Sequence, residues 1–205
     1  MKTKLERFAL GLILAPLAPL ALFMGGWWVA FKLVPEKWIP LGALAGLLLG
    51  ILADIFLLKR LVTRAYKLGT VFWVAVFLFY TIGIFGFFMG VPVFNAALAI
   101  PVGFVVGGKL ASENADKPRV RRAARGAAWF TSGTLAFVCV ASATLALVSS
   151  STAYDLQGLL GLGFEVSQGM IIGLILVGGV ALLVISWGLT VASVRLTRSF
   201  LQRMV

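Results

Sequence analysis

Apolar residues in this chain do not alternate with polar ones but run in six long stretches, at about residues 8–31, 39–58, 71–90, 91–108, 127–150 and 170–191. Roughly 20 consecutive apolar residues, at 1.5 Å each, cross the hydrocarbon of a bilayer. The pattern therefore predicts an all-α, polytopic transmembrane bundle of six spans, folded as one domain over residues 1–205. The third and fourth stretches abut at Met89-Gly90-Val91-Pro92-Val93. Proline cannot continue the preceding hydrogen-bond ladder, and a single straight helix over 71–108 would overshoot the membrane, so a tight helical hairpin is expected there. Pro16 and Pro19 predict a bend in the first span, and Pro101 predicts one in the fourth. The opening "MKTKLERFALGLILAPLA" also has the basic start and apolar core of a secretory signal peptide. The apolar run that continues through "PLALFMGGWW" favours a retained span over a cleaved one.

Within the spans, glycines recur every fourth residue. Gly42, Gly46 and Gly50 in the second span form a triple that ends one turn before Asp54, and Gly86/Gly90, Gly103/Gly107 and Gly169/Gly173 are pairs in the third, fourth and sixth. Positions four apart share a helix face, and small residues let membrane helices approach closely, so these are the expected helix-packing positions. In the third span the glycine side (Gly83, Gly86, Gly90) is expected to face protein. Its aromatic side (Trp73, Phe77, Tyr80, Phe88) is expected to face lipid or a partner.

Charge then orients the spans. The chain carries 18 lysines and arginines against seven acids, a net charge of +11. Sixteen of the 18 lie on one side of the predicted spans: Lys2, Lys4 and Arg7 before the first; Lys59, Arg60, Arg64 and Lys67 after the second; Lys109, Lys117, Arg119, Arg121, Arg122 and Arg125 between the fourth and fifth; and Arg195, Arg198 and Arg203 after the sixth. Only Lys32 and Lys37 lie on the other side. By the positive-inside rule both termini are expected in the cytoplasm of a cell membrane. The same placement turns "KPRVRRAARG" from a nucleic-acid patch into a cytoplasmic loop suited to anionic lipid headgroups. Trp27, Trp28 and Trp38 fall near the outer ends of the first two spans, where an aromatic belt is expected.

Overall composition agrees. Hydrophobic residues make up 61% of the chain, charged residues 12%, and mean hydropathy is +1.05, whereas a soluble domain is about half apolar and about a quarter charged.

Polar residues inside the spans are the candidates for chemistry, because they are costly in hydrocarbon and face a bundle or a cavity. Asp54 is a candidate ion or proton site, or alternatively a structural carboxylate at the basic boundary. Thr131, Thr134, Ser142 and Ser149 share a face of the fifth span, and Ser186, Thr190 and Ser193 share one near the inner end of the sixth. With Asn95 they could line a polar pocket, or they could bond their own helices and neighbours. The outer connection "SSSTAYDLQGLLGLGFEVSQG" has an apolar, glycine-broken centre too short to span, with Asp155 and Glu165 near its edges, and is a candidate lid.

Absences narrow the classes. Without histidine there is no Ser-His-Asp triad, no H-E-x-x-H zinc site and no bis-histidine haem. There is also no G-x-x-x-x-G-K-[ST] loop. No catalytic residue, metal or cofactor is assigned, and an enzyme is not expected. Cys139 has no second thiol to pair with.

"GVPVFNAALAIPVGFVVGGK", residues 90–109, resembles segments of small bacterial multi-pass membrane proteins. That resemblance implies a bacterial cytoplasmic membrane. In size and span count the chain is also similar to the substrate-binding subunits of energy-coupling-factor transporters. Those dock through small residues on their first helix, for which Gly11 and Ala15 are the comparable pair here. Two functions follow as expectations. One is a small transport or solute-binding protein, or a transporter subunit. The alternative is a structural or accessory subunit of a larger membrane complex, or a lipid-binding protein of non-enzymatic role, associating with lipid, a protein partner or a second copy.

Overall fold

A computed structural model describes residues 4–88, 90–149, 152–161 and 166–203. Among these all regular structure is helical: α1 (Lys4–Leu14), α2 (Leu17–Leu33), α3 (Ile39–Arg64), α4 (Thr70–Phe87), α5 (Val93–Ala96), α6 (Ala99–Ser112), α7 (Lys117–Val148), α8 (Thr152–Leu160) and α9 (Gln168–Arg203). Six helical segments are long and apolar enough to cross a membrane: α1 with α2, α3 with its flanking 3₁₀ turns, α4, α5 with α6, α7, and α9. That architecture is compatible with a multi-pass membrane protein.

Several ends differ from the sequence expectation, for physical reasons. The basic stretch between the fourth and fifth apolar runs is not a loop; it forms the first turns of α7. Asp116 starts that helix by accepting the Arg119 amide at 3.2 Å, and Pro118 sits in the first turn, where its missing N–H costs nothing. Along those turns Val120, Ala124 and Ala128 are buried while Arg121, Arg122 and Arg125 are exposed, so a helical period of four separates core from charge. The preceding turn is a Schellman close. Asn114 takes the left-handed conformation at φ 50°, and the Ala115 and Asn114 amides return to the carbonyls of Leu110 and Ala111. Arg198 of α9 holds the turn down by donating to the Ala115 carbonyl at 2.7 Å.

The proline expectations locate the breaks to within a few residues. Helix regularity lapses at Ala15–Pro16 between α1 and α2, and at Ala97–Leu98, one turn before Pro101, between α5 and α6. The chain reverses after α4 at Gly90, whose φ of +84° suits glycine, and whose amide reaches back to the Phe85 carbonyl at 2.8 Å.

The chain divides into two compact units, residues 1–76 with 204–205, and residues 77–203. In the first, α2 and α3 lie along each other and α1 packs on α3. In the second, α6 and α7 both pack on α9, and α6 also touches α7. Of the apolar stretch in α5–α6, 44% is buried inside the protein, against 11% in α9, and it is also the least apolar of the six. A helix that faces protein rather than lipid needs less hydrophobicity, which accounts for both observations.

Candidate functional site

Glycine makes the tightest contacts. On α3, a Cβ added at Gly46 would overlap the Leu22 carbonyl oxygen; at Gly42 it would come within 2.5 Å of Ala30 Cβ; at Gly50, within 2.7 Å of the Ala18 carbonyl oxygen. Gly26 of α2 is closed in the same way by Gly42. Each step of four along α3 is met by a step of four back along α2. Gly50 meets Ala18 and Pro19 at the start of α2, and Asp54 stands one turn beyond Gly50 on α3. The ladder therefore ends where its partner helix breaks, and the carboxylate follows at that end. Asp54 is partly exposed, and no hydrogen bond or ion pair joins it to another described residue.

On α6, a Cβ at Gly103 would lie 2.5 Å from Ser193 Cβ, and one at Gly107 would lie 2.6 Å from the Val194 carbonyl oxygen. The other glycines do not stand at contacts. Gly86 and Gly173 have no neighbour within 4 Å of where a Cβ would stand, Gly169 meets only the Ser167 hydroxyl at 3.9 Å, and Gly11 is open. Gly90 serves the chain reversal rather than a helix face.

The α4 faces are correspondingly reversed from the expectation. Gly83 and Gly86 have open space, while Phe77 is 7% exposed and packs against Phe130 of α7, the ring centroids 5.0 Å apart and the planes tilted by 54°. Phe77, Thr81 and Phe85 recur every fourth residue and form the inward stripe. A broad ring offers far more dispersion contact than a glycine, so the aromatic stripe takes the protein side when the facing helix leaves room for it.

The polar candidates divide in two. Thr131 and Thr190, 2% and 0% exposed, meet at 2.8 Å between α7 and α9. Two hydroxyl protons are available for three short contacts, the others being Thr190 to the Ser186 carbonyl at 2.9 Å and Thr131 to the Ala128 carbonyl at 3.2 Å. The arrangement that uses the two shortest has Thr131 donating to Thr190, and Thr190 to Ser186 O. Ser132 donates to the Leu183 carbonyl at 3.3 Å, and Ser193 to the Ile100 carbonyl at 2.8 Å. Thr134 bonds its own helix at Phe130 O, and Ser142 is partly exposed further along α7. Ser186 is buried, 2% exposed. The hydroxyls of Thr131, Ser132, Thr134, Thr190 and Ser193 are thus spent on helices.

Asn95 lies elsewhere, on α5. It is 5% exposed, and its Nδ2 donates to the Thr81 carbonyl of α4 at 2.8 Å. Neither its Oδ1 nor the Thr81 hydroxyl, also 5% exposed, has a hydrogen-bond partner among the described residues.

Sequence reasoning treated Asp54 as the one carboxylate of consequence, whereas the buried one is Glu6, 4% exposed. Glu6 lies on the stripe of α1 that carries Leu10 and Leu14, and it faces the hydroxyl of Tyr66, just after α3. The signal was present. A lone acid among Lys2, Lys4 and Arg7 stands four and eight residues before two leucines, on the face that α1 buries.

Glu165 and residues 162–164 of the outer apolar centre lie outside the described residues, as do Lys2 and the Asp155 side chain; the preceding segment is helix α8. No cluster of three or more metal-ligating side chains occurs among the described residues. Comparison with protein-family models, with curated proteins and with solved structures yields no match to this chain.

Proposed function

We propose that this chain is a non-enzymatic integral membrane protein of a bacterial cytoplasmic membrane, with both termini inside, that serves as a structural or accessory subunit of a larger membrane assembly. One observation carries the reading: the intramembrane hydroxyls of Thr131, Ser132 and Ser193 bond neighbouring helices and that of Thr190 bonds its own, so all four are committed to helix contacts. The exposed cations at the start of α7 would rest on anionic headgroups, each worth about 1 kcal/mol near the surface. Native mass spectrometry of the protein released from gently extracted membranes tests the role. A stoichiometric protein partner is the expected result, and a bare chain carrying only a small molecule would sink it. Membrane-impermeant maleimide labelling of single cysteines placed at Lys37 and Lys117, on a Cys139→Ser background, tests the orientation. Labelling in intact cells is expected at position 37 and not at 117.

A second reading, a solute-binding or transport subunit, is favoured by one observation. Thr81 and Asn95 leave two buried oxygens unmet in the second unit. Solute uptake that falls when Asn95 is enlarged to Gln would move the balance to this reading.

A further inference from the structure

Four threonines of this protein follow one rule. Thr63, Thr134, Thr144 and Thr190 each donate to the carbonyl four residues back on their own helix, the usual way a hydroxyl is satisfied in an apolar helix. Thr81 departs from it: its hydroxyl is buried and without a partner among the described residues. The residue bonded to its carbonyl, Asn95, has an unmet oxygen as well. Two orphaned buried oxygens on residues already joined at 2.8 Å are a single deficit, and each is costly to leave unpaired in a low-dielectric interior.

The amide cannot relieve this by turning over. A flip would set Oδ1 against the Thr81 carbonyl oxygen, acceptor to acceptor, so the 2.8 Å bond fixes Nδ2 on that side. The chain reversal at Gly90 brings α5 back against α4, and the wall beside Ala96 is apolar, made by Phe85, Leu135, Val138, Leu182 and Leu183 with the thiol of Cys139.

We propose that a hydroxyl group, of a water molecule or of a bound solute, sits between Thr81 and Asn95 and bridges α4 to α5. The Thr81 hydroxyl offers a proton, and Asn95 Oδ1 only accepts. A hydroxyl accepts from the first and donates to the second, so both orphaned protein oxygens are paired. A carbonyl ligand leaves Oδ1 unmet, and an ammonium leaves the Thr81 proton unused and brings a charge into a wall with no carboxylate. The inference stands apart from both functional readings, since a water would serve a packing subunit and a solute hydroxyl a binding one.

Thr81→Val tests it, because the change keeps the side-chain volume and the backbone carbonyl that holds Asn95 while removing the hydroxyl. Wild type and variant are imaged in lipid nanodiscs at a resolution that shows ordered water, and weighed by native mass spectrometry. Expected is a density peak about 3 Å from both oxygens in wild type and absent from Thr81→Val, with the thermal midpoint lowered by about 2–4 °C and restored in Thr81→Ser. A bare wild-type mass then identifies the hydroxyl as water, and a mass adduct lost in Thr81→Val identifies it as a solute's. Empty space between the oxygens, a Thr81 hydroxyl turned onto the Phe77 carbonyl, or a variant at least as stable as wild type would overturn the proposal.

Discussion

The α2–α3 contact of the first unit and the α6–α9 contact of the second both rest on glycines four residues apart, yet they are built differently. Across α2–α3 the atoms facing Gly46 and Gly50 are backbone: the carbonyl of Leu22, the carbonyl of Ala18 and the Cα of Pro19. Across α6–α9 the glycines are faced by Thr190, Ser193, Val194 and Thr197, and the Ser193 hydroxyl bonds the Ile100 carbonyl. Lipid supplies no hydrophobic force between helices, so association depends on close fit and on polar bonds. The first contact uses fit alone, along with the weak Cα–H···O contacts that such an approach permits. The second spreads its stability over fit and one directed hydroxyl, and that hydroxyl also fixes which turn of α9 meets which turn of α6. At Gly46 and Gly50 the facing atoms are backbone, with no side chain that can yield, so these positions should tolerate enlargement least.

Gly46→Leu is therefore the largest expected effect. A Cβ there already overlaps a backbone oxygen, and neither helix can retreat without opening the whole ladder. The loss should exceed the roughly 1–3 kcal/mol typical of overpacking. The emission of Trp27, Trp28 and Trp38, which belong to the same unit, would show α2 leaving α3 as a shifted spectrum and a lost unfolding transition. An unchanged transition would mean that α2 and α3 are not held by this face.

Gly107→Ala comes next, at about 1–3 kcal/mol. Its added methyl meets the Val194 carbonyl oxygen at 2.6 Å and Thr197 Cβ at 3.0 Å, a slighter overlap than at Gly46, and alanine adds far less bulk than leucine. A thiol-reactive fluorophore reports on this unit alone, because Cys139, the chain's one cysteine, lies half-buried within it. Exposure of the thiol at lower temperature in Gly107→Ala than in wild type is expected. An effect as large as that of Gly46→Leu would erase the distinction between the two contacts.

These sites also mark how far the sequence could be read. Spacing of four identified Gly42, Gly46, Gly50, Gly103 and Gly107 without any structure, because periodicity is a property of one helix. Which of the repeated glycines meet a partner was not legible. Gly169 and Gly173 have the same spacing, yet they stand in open space, and only the arrangement of other helices decides that. Asn95 could be singled out as a polar residue in an apolar run. Its partner Thr81 could not, because the pairing depends on the reversal at Gly90. The hydroxyl faces of α7 and α9 were visible on a helical wheel, but a wheel does not say whether a face looks into a cavity or onto another helix.

Thr131→Val and Thr190→Val separate those last two possibilities and give a smaller effect. A hydroxyl bond between membrane helices measured by double-mutant cycle contributes about 0.6 kcal/mol on average. The same cycle here should yield a coupling of about that size, read on the Cys139 fluorophore. Zero coupling would mean that the 2.8 Å contact adds nothing to the α7–α9 association.

The smallest effect belongs to Gly173→Ala, and it sharpens the comparison from the opposite side. With nothing within 4 Å of the added methyl, the substitution has no helix to displace within the chain. It removes backbone freedom from a helix interior, which favours alanine by up to about 1 kcal/mol. The thermal midpoint of the isolated chain should hold or rise slightly, in contrast to Gly107→Ala on α6 of the same unit. The same substitution in whole membranes has a different meaning, because an open small-residue face on α9 is also where another helix could approach. A normal midpoint in the purified chain, combined with loss of a stoichiometric partner from the membrane extract, would place the subunit contact on α9. A lowered midpoint in the purified chain would instead show that Gly173 packs within the chain after all, and that spacing alone was the better guide at that position.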